Sequence, residues 1–157
     1  MASLALVIAS DRVYTGEKED AVTPLVESMS PGMGLELAFT AIVPNNASRI
    51  RMMVKEAAGK CDVVLVIGGT GPSPRDITIE AVKPLASKEL PGFGEEFRRR
   101  SYSKVGARGL LSRASCLVVG KSLVFVVPGS PDAVKTALEV IGELYGHALH
   151  QVKEGMH

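Results

Sequence analysis

The sequence contains no tryptophan, three tyrosines and four phenylalanines among its 157 residues. Flat rings are therefore scarce, and a surface that binds single-stranded nucleic acid by stacking has little to stack with. Charge of one sign is also missing. Lys and Arg number 18 against 17 Asp and Glu, a formal net charge of +1, so no bulk field draws the chain to nucleic acid or to an anionic membrane. Cysteine is limited to Cys61 and Cys116. Neither belongs to a CxxC or has a histidine at ligand spacing, which predicts two buried free thiols in a reducing compartment. No apolar run approaches the ~20 residues of a membrane span. Leu4 to Ala9 has no Lys or Arg ahead of it and meets Asp11 and Arg12 at once, unlike a signal peptide. These absences predict a cytoplasmic protein with no nucleic-acid and no membrane partner.

What is present suits an ordinary globule. Hydrophobic residues make up 46% and charged residues 22%, enough apolar surface for a core without disulfides or structural metal. Leu4 to Ala9, Val63 to Ile67 and Leu123 to Val127 are short unbroken aliphatic runs, each ended by Gly, Ser or Pro. Runs of this kind predict strands buried on both faces, as in a parallel sheet covered by helices. Leu35 to Val43 alternates and ends at Pro44, which places it nearer a sheet edge. Helical spacing follows Ser48 (Ile50, Val54, Ala57) and follows Ser130-Pro131 (Val134, Leu138, Ile141, Tyr145). Ser130 reads as a cap with Pro131 at the first helical position. A helix begins near Thr78 and must bend or stop at Pro84. Pro91-Gly92 precedes another over Glu95 to Tyr102. Gly120-Lys121 reads as a tight hairpin, giving one antiparallel strand. The order predicts a single α/β domain over residues 1–157, a three-layer α/β/α sandwich with a mostly parallel sheet.

The stretch Gly68-Gly69-Thr70-Gly71-Pro72-Ser73-Pro74-Arg75-Asp76 carries the clearest chemical signal. Three glycines at the end of a buried strand let backbone N–H groups approach a ligand closely, a nest suited to phosphate oxygens. Composition alone allows a second reading, a strand-to-helix turn that merely requires glycine. Arg75 and Asp76 favour the first, because a guanidinium pairs with phosphate and a carboxylate can hold Mg²⁺ that carries nucleotide oxygens. In a parallel sheet the loops Ser10-Asp11-Arg12 and Pro128-Gly129-Ser130 lie at the same strand ends, and the expectation is one cleft shared by Ser10, Arg12, Thr70 and Ser130. Asp20 reads as a helix cap, and Arg98-Arg99-Arg100 as a solvated run near a helix end. Phe93 and Phe97 read as core or subunit contact, and His147 with His150 as a surface pair. No Ser/His/Asp or Cys/His pattern supports covalent hydrolysis.

Several blocks together resemble a known family. Gly68 to Gly71 with Arg75-Asp76-Ile77-Thr78-Ile79-Glu80-Ala81 is similar to the signature of the molybdenum-cofactor biosynthesis family typified by molybdopterin adenylyltransferase. Pro91 to Arg98 with Ser101, Leu111-Ser112-Arg113-Ala114, and Pro128 to Pro131 match further family blocks in order, and Ser10-Asp11-Arg12 resembles the family's first loop. The resemblance implies binding of molybdopterin and ATP, and transfer of AMP from Mg-ATP to the pterin phosphate with release of pyrophosphate. It implies Mg²⁺ arriving with ATP at Asp76, no permanently bound cofactor, and a homotrimer or homohexamer. Carried over residue by residue, it implies catalytic positions at Asp76 and Asn45. It implies substrate or nucleotide contacts at Ser10, Asp11, Arg12, Gly68, Gly69, Thr70, Gly71, Ser73, Arg75, Glu80, Ser112, Arg113, Pro128, Gly129 and Ser130. One departure stands out: family members that turn over commonly have an acidic residue where this chain has Asn45. The alternative implied is a non-catalytic molybdopterin- or nucleotide-binding protein on the same fold.

Overall fold

The computed structural model describes residues 1–155. Among them, six strands form one sheet in the order β2-β1-β3-β6-β5-β4. β1 (Ala2–Ala9), β2 (Leu35–Val43), β3 (Val63–Ile67) and β6 (Ser122–Val127) pair in parallel. β5 (Ser115–Val119) and β4 (Lys88–Glu89) add antiparallel pairs. The aliphatic runs become strands because their alternate side chains feed two cores, one on each face, so each run is buried throughout. β2 lies at the edge with alternating burial, and a register shift against Leu4/Ala5 bends it there.

On one face Leu6, Leu65 and Phe125 pack beneath α2 (Val22–Met29), α5 (Pro91–Val105) and α6 (Pro131–Glu154). On the other, Val7, Val66 and Val124 meet α3 (Ala47–Lys60) and α4 (Thr78–Val82). The architecture is thus a three-layer α/β/α sandwich. Pro91 opens α5 as its first residue rather than standing outside it, so this helix is longer at both ends than its apolar pattern indicates. Phe93 and Phe97 fill the core, with Phe93 edge-on to Phe125 at 4.9 Å. β4 goes unseen in the sequence because its two exposed polar residues carry no strand signal.

Arg98, Arg99 and Arg100 sit in the middle of α5, not near its end, and only Arg99 has the exposed character expected of the run. Arg98 donates to the carbonyls of Ser112 and Ala114, and Arg100 bridges Glu96 and Glu143. The two guanidiniums around Glu96 hold its carboxyl down to about 2. Cys61 and Cys116 are buried and free, and burial pushes the Cys116 thiol up to about 12. Among the described residues no helix is long and apolar enough to cross a membrane.

Candidate active site

Because β1, β3 and β6 run in parallel, the loops that follow them emerge at one edge of the sheet. After β3 the chain turns at Gly68 (φ +103°) and Gly69 (φ +71°), both in the region that favours glycine. Space demands glycine as well. A Cβ on Gly68 would lie 2.6 Å from the Ala9 carbonyl oxygen, and one on Gly69 would lie 2.2 Å from Thr78 Oγ1. Gly68 N–H donates to the Val127 carbonyl at 2.9 Å, so the turn after β3 is tied to the loop after β6. These two turns form a ridge with a cavity on each side.

The larger cavity, about 780 Å³, lies between this ridge, α5 and the start of α6. Thr70, Gly71, Ser112, Pro128 and Ser130 line its ridge side, and Phe97, Val105 and Leu111 give it apolar walls. Ser101, Lys104, Arg108, Asp132, Lys135 and Glu139 ring it with polar groups. Lys104 Nζ is fixed at 2.7 Å from Thr136 Oγ1. None of this second group was singled out for the cleft from sequence. Charged residues spaced along a helix look alike whether they face bulk water or a cavity, and only packing α5 against α6 tells them apart. The smaller cavity, about 350 Å³, holds Ser10, Lys18, Asp20, Gly68, Gly69 and Gly129.

Thr70 and Ser130 thus share the larger cavity, whereas Ser10 lines the smaller one, so the single cleft expected of the parallel sheet is divided in two. Arg12 does not join them. It stands on the short helix α1 (Asp11–Thr15), lines neither cavity, is exposed, and lies 3.8 Å from Glu17. Ser10 Oγ caps that helix by accepting from Val13 N–H, and Ser130 Oγ caps α6 by accepting from Ala133 N–H. Asp20 accepts from the Val22 and Thr23 N–H groups at the start of α2.

Asp76 belongs to the loop that closes back on the ridge. Its carboxylate accepts the Ser73 N–H at 3.0 Å. Burial pushes the Asp76 carboxyl up, but hydrogen bonds from Ser73 and Gly71 and the Arg113 charge outweigh it, and the net direction is down. A charged carboxylate is therefore held beside Gly71. Asn45 sits at the next loop. Its backbone N–H donates to Asp11 at 2.8 Å, and its side-chain amide donates to the Arg75 carbonyl at 2.9 Å. The Arg75 guanidinium stands 3.6 Å from Asp11. Asp11, Asn45 and Arg75 accordingly form one exposed cluster joining three loops, outside the lining of either cavity.

Arg113 and Glu80 form an ion pair beside this loop. The hydrogen bonds from Arg113 hold the Glu80 carboxyl below the usual carboxylate range. Among the described residues no three His, Cys, Asp or Glu side chains gather as a metal cluster. His147 and His150 are exposed on α6, and His147 lies 2.8 Å from Gln151.

Comparison with known proteins places the chain in a family. A relative from Pyrococcus furiosus named molybdopterin adenylyltransferase is 40% identical over 154 residues, spanning 95% of this chain and 90% of that one. The crystal structure of the tungsten cofactor synthesizing protein MoaB from Pyrococcus furiosus superposes with a TM-score of 0.90 at 38% identity, covering 98% of both chains. A molybdopterin biosynthesis protein from Mycobacterium abscessus gives a TM-score of 0.90 at 30% identity, over 98% of this chain and 97% of that one. Residues 5–147 match the family model described as "Probable molybdopterin binding domain". On that match and the near full-length 40% relative, the chain belongs to the molybdenum-cofactor biosynthesis family of the MoaB and Mog type.

Proposed function

We propose that this protein adenylylates molybdopterin: the pterin phosphate attacks the α-phosphorus of Mg-ATP, a new phosphoanhydride forms, and pyrophosphate leaves. The observation that carries the reading is the glycine ridge between two cavities, Gly68 to Gly71 against Pro128 to Ser130. Two ligands seated on either side of such a ridge would direct their phosphates toward one set of backbone N–H groups. A terminal phosphate is a weak nucleophile and both partners are anions, so the protein's contribution is alignment and charge neutralisation rather than covalent chemistry. The larger cavity, with apolar walls and a polar ring, has the size and character of a small-molecule pocket.

The donor set suits Mg²⁺ that arrives with its substrate. Mg²⁺ keeps waters and phosphate oxygens and needs only one or two carboxylates from a protein, and Asp76 offers one that stays ionised. When bound, Mg²⁺ would neutralise charge on the ATP phosphates. The Gly68 N–H is taken by the Val127 carbonyl and that of Gly71 by Asp76, so Gly69 and Thr70 would bind phosphate through N–H groups, Thr70, Ser112 and Ser130 would offer hydroxyls, and water would be kept from the phosphorus by the cavity walls. We further propose a homotrimeric or homohexameric cytoplasmic protein, as the family resemblance implies.

The second reading, a non-catalytic carrier of molybdopterin or nucleotide, is favoured by Asn45. Its amide is engaged with the Arg75 carbonyl and puts no charge at that position. The deciding experiment incubates purified protein with molybdopterin, Mg²⁺ and ATP and follows pyrophosphate. Release well above that of an Asp76→Ala variant supports the enzyme. Binding of both ligands with release no faster than the variant supports the carrier. The effect of Asn45→Asp then discriminates further, since a gain in rate is expected only where the missing charge limits turnover.

A further inference from the structure

We infer that Arg113 is a positioning residue, a clasp that shapes the loop carrying Asp76, and not a ligand for substrate phosphate. The family resemblance placed it among the substrate contacts. A guanidinium has five N–H donors, and here Nε donates to the Gly71 carbonyl at 3.0 Å, while Nη2 donates to the Asp76 carbonyl at 3.1 Å and to Glu80 at 3.3 Å. Nη1 donates to the second Glu80 oxygen. Four donors are engaged. The one left cannot form the two parallel bonds by which arginine grips a phosphate. The Arg113 backbone N–H adds a bond to the Thr70 carbonyl at 2.8 Å.

The clasp closes both ends of one loop. Carbonyls at Gly71 and Asp76 are drawn to the same guanidinium, while the Asp76 carboxylate turns inward to the Ser73 N–H. The position of the carboxylate therefore depends on a side chain that itself lines neither of the two cavities beside the ridge. Ser112, the neighbour of Arg113, does line the larger cavity, and its hydroxyl lies 3.4 Å from that of Thr70. One continuous piece of chain, residues 109–113, thereby both walls that cavity and holds the Asp76 loop. Glu80 completes the device by holding the guanidinium's outer edge.

This assignment rests on the reaction proposed above, and its test separates the two. Arg113→Gln, Arg113→Lys and Glu80→Gln are compared with the unaltered protein in pyrophosphate release from molybdopterin and Mg-ATP. Hydrogen exchange of the amides from Gly71 to Thr78 is measured on each without substrates. A clasp predicts that Arg113→Gln lowers kcat by about ten- to a hundredfold while both KM values move by less than about threefold. Arg113→Lys gives little rescue, since a point charge cannot span both carbonyls. Glu80→Gln shifts kcat in the same direction by less, and loop exchange accelerates in the order of the kcat losses. A KM rise of about tenfold with kcat intact in Arg113→Gln, or tighter ATP binding in Glu80→Gln, would put the guanidinium on substrate and overturn the assignment. If the unaltered protein releases no pyrophosphate, the proposed reaction fails and exchange alone decides. Faster loop exchange in Arg113→Gln then upholds the clasp, and unchanged exchange refutes it.

Discussion

The two ends of the parallel strands solve the same problem in opposite ways. At the amino ends, side chains close on one another. Asp62 accepts from the Ser3 N–H and hydroxyl and from Lys153, Ser3 Oγ accepts from the Asp62 N–H, and Ser122 Oγ lies 2.7 Å from the carbonyls of Ala58 and Cys61. At the carboxyl ends, glycines replace side chains and the chain turns around two cavities. One end is a fastening and the other a receptacle. The difference teaches that polar side chains at the amino ends spend themselves on one another, whereas glycine turns at the carboxyl ends leave room between the loops.

Glycine substitution should break the comparison most sharply. Gly69→Ala meets both a positive φ and a Cβ 2.2 Å from Thr78 Oγ1, and is expected to lower stability by about 2–4 kcal/mol and abolish pyrophosphate release. Gly120→Ala, in the hairpin at the amino end of β6, has a positive φ but open space. It should cost only about 1 kcal/mol with activity retained. Denaturant midpoints and turnover together check the pair; equal losses would mean the two ends are not distinct.

Aspartates at the two ends make the next contrast. Asp76→Asn is expected to reduce turnover by about 10²–10³-fold with less than about 1 kcal/mol lost in stability. Asp62→Asn should do the reverse, lowering stability by about 1–2 kcal/mol with kcat unchanged.

Acidification offers a smaller effect that both ends share. Hydrogen bonds from Lys153 and Ser3 lower the Asp62 carboxyl, and Asp76 and Glu80 are also lowered. A carboxyl with a depressed folded-state pKa stabilises the fold above its unfolded value and loses that contribution as pH falls through the folded value. Stability should therefore be flat from neutrality to about pH 5 and decline below about pH 4. Asp62→Asn should flatten part of that decline. The smallest signal is chemical. Burial raises both thiols, Cys116 to about 12, so neither should react with a neutral-pH alkylating reagent until the chain unfolds.

Much of this was legible in the residues themselves. Unbroken runs at β1, β3 and β6 announced strands covered on both faces, Gly120-Lys121 announced the hairpin, and Ser130-Pro131 announced the start of α6. The glycine turn after β3 was legible too, but its composition left a plain strand-to-helix turn as open as a phosphate nest, and the division into two cavities was not legible at all. What stayed hidden depended on tertiary placement. Two-residue β4 has no pattern to read. Arg12 sits on a helix of five residues whose direction no periodicity could give. The polar ring of the larger cavity is spread over α5, the turn after it that carries Arg108, and α6, more than thirty positions apart between Ser101 and Lys135, and it converges only when those helices pack. Arg113 showed as a cation in a family block, whereas its carbonyl and carboxylate partners appear only in the folded loop.

One helix joins the contrasted ends. α6 runs for 24 residues, about 36 Å at the usual rise, from the Ser130 cap beside the ridge to Lys153 on Asp62. Anchored at both extremities and buried along one stripe from Val134 to Leu149, it behaves as a mast stayed along its whole height: slackening the Lys153 mooring leaves the masthead at Ser130 standing. Damage at the closed end should thus weaken the hull as a whole while the groups at the open one keep their trim.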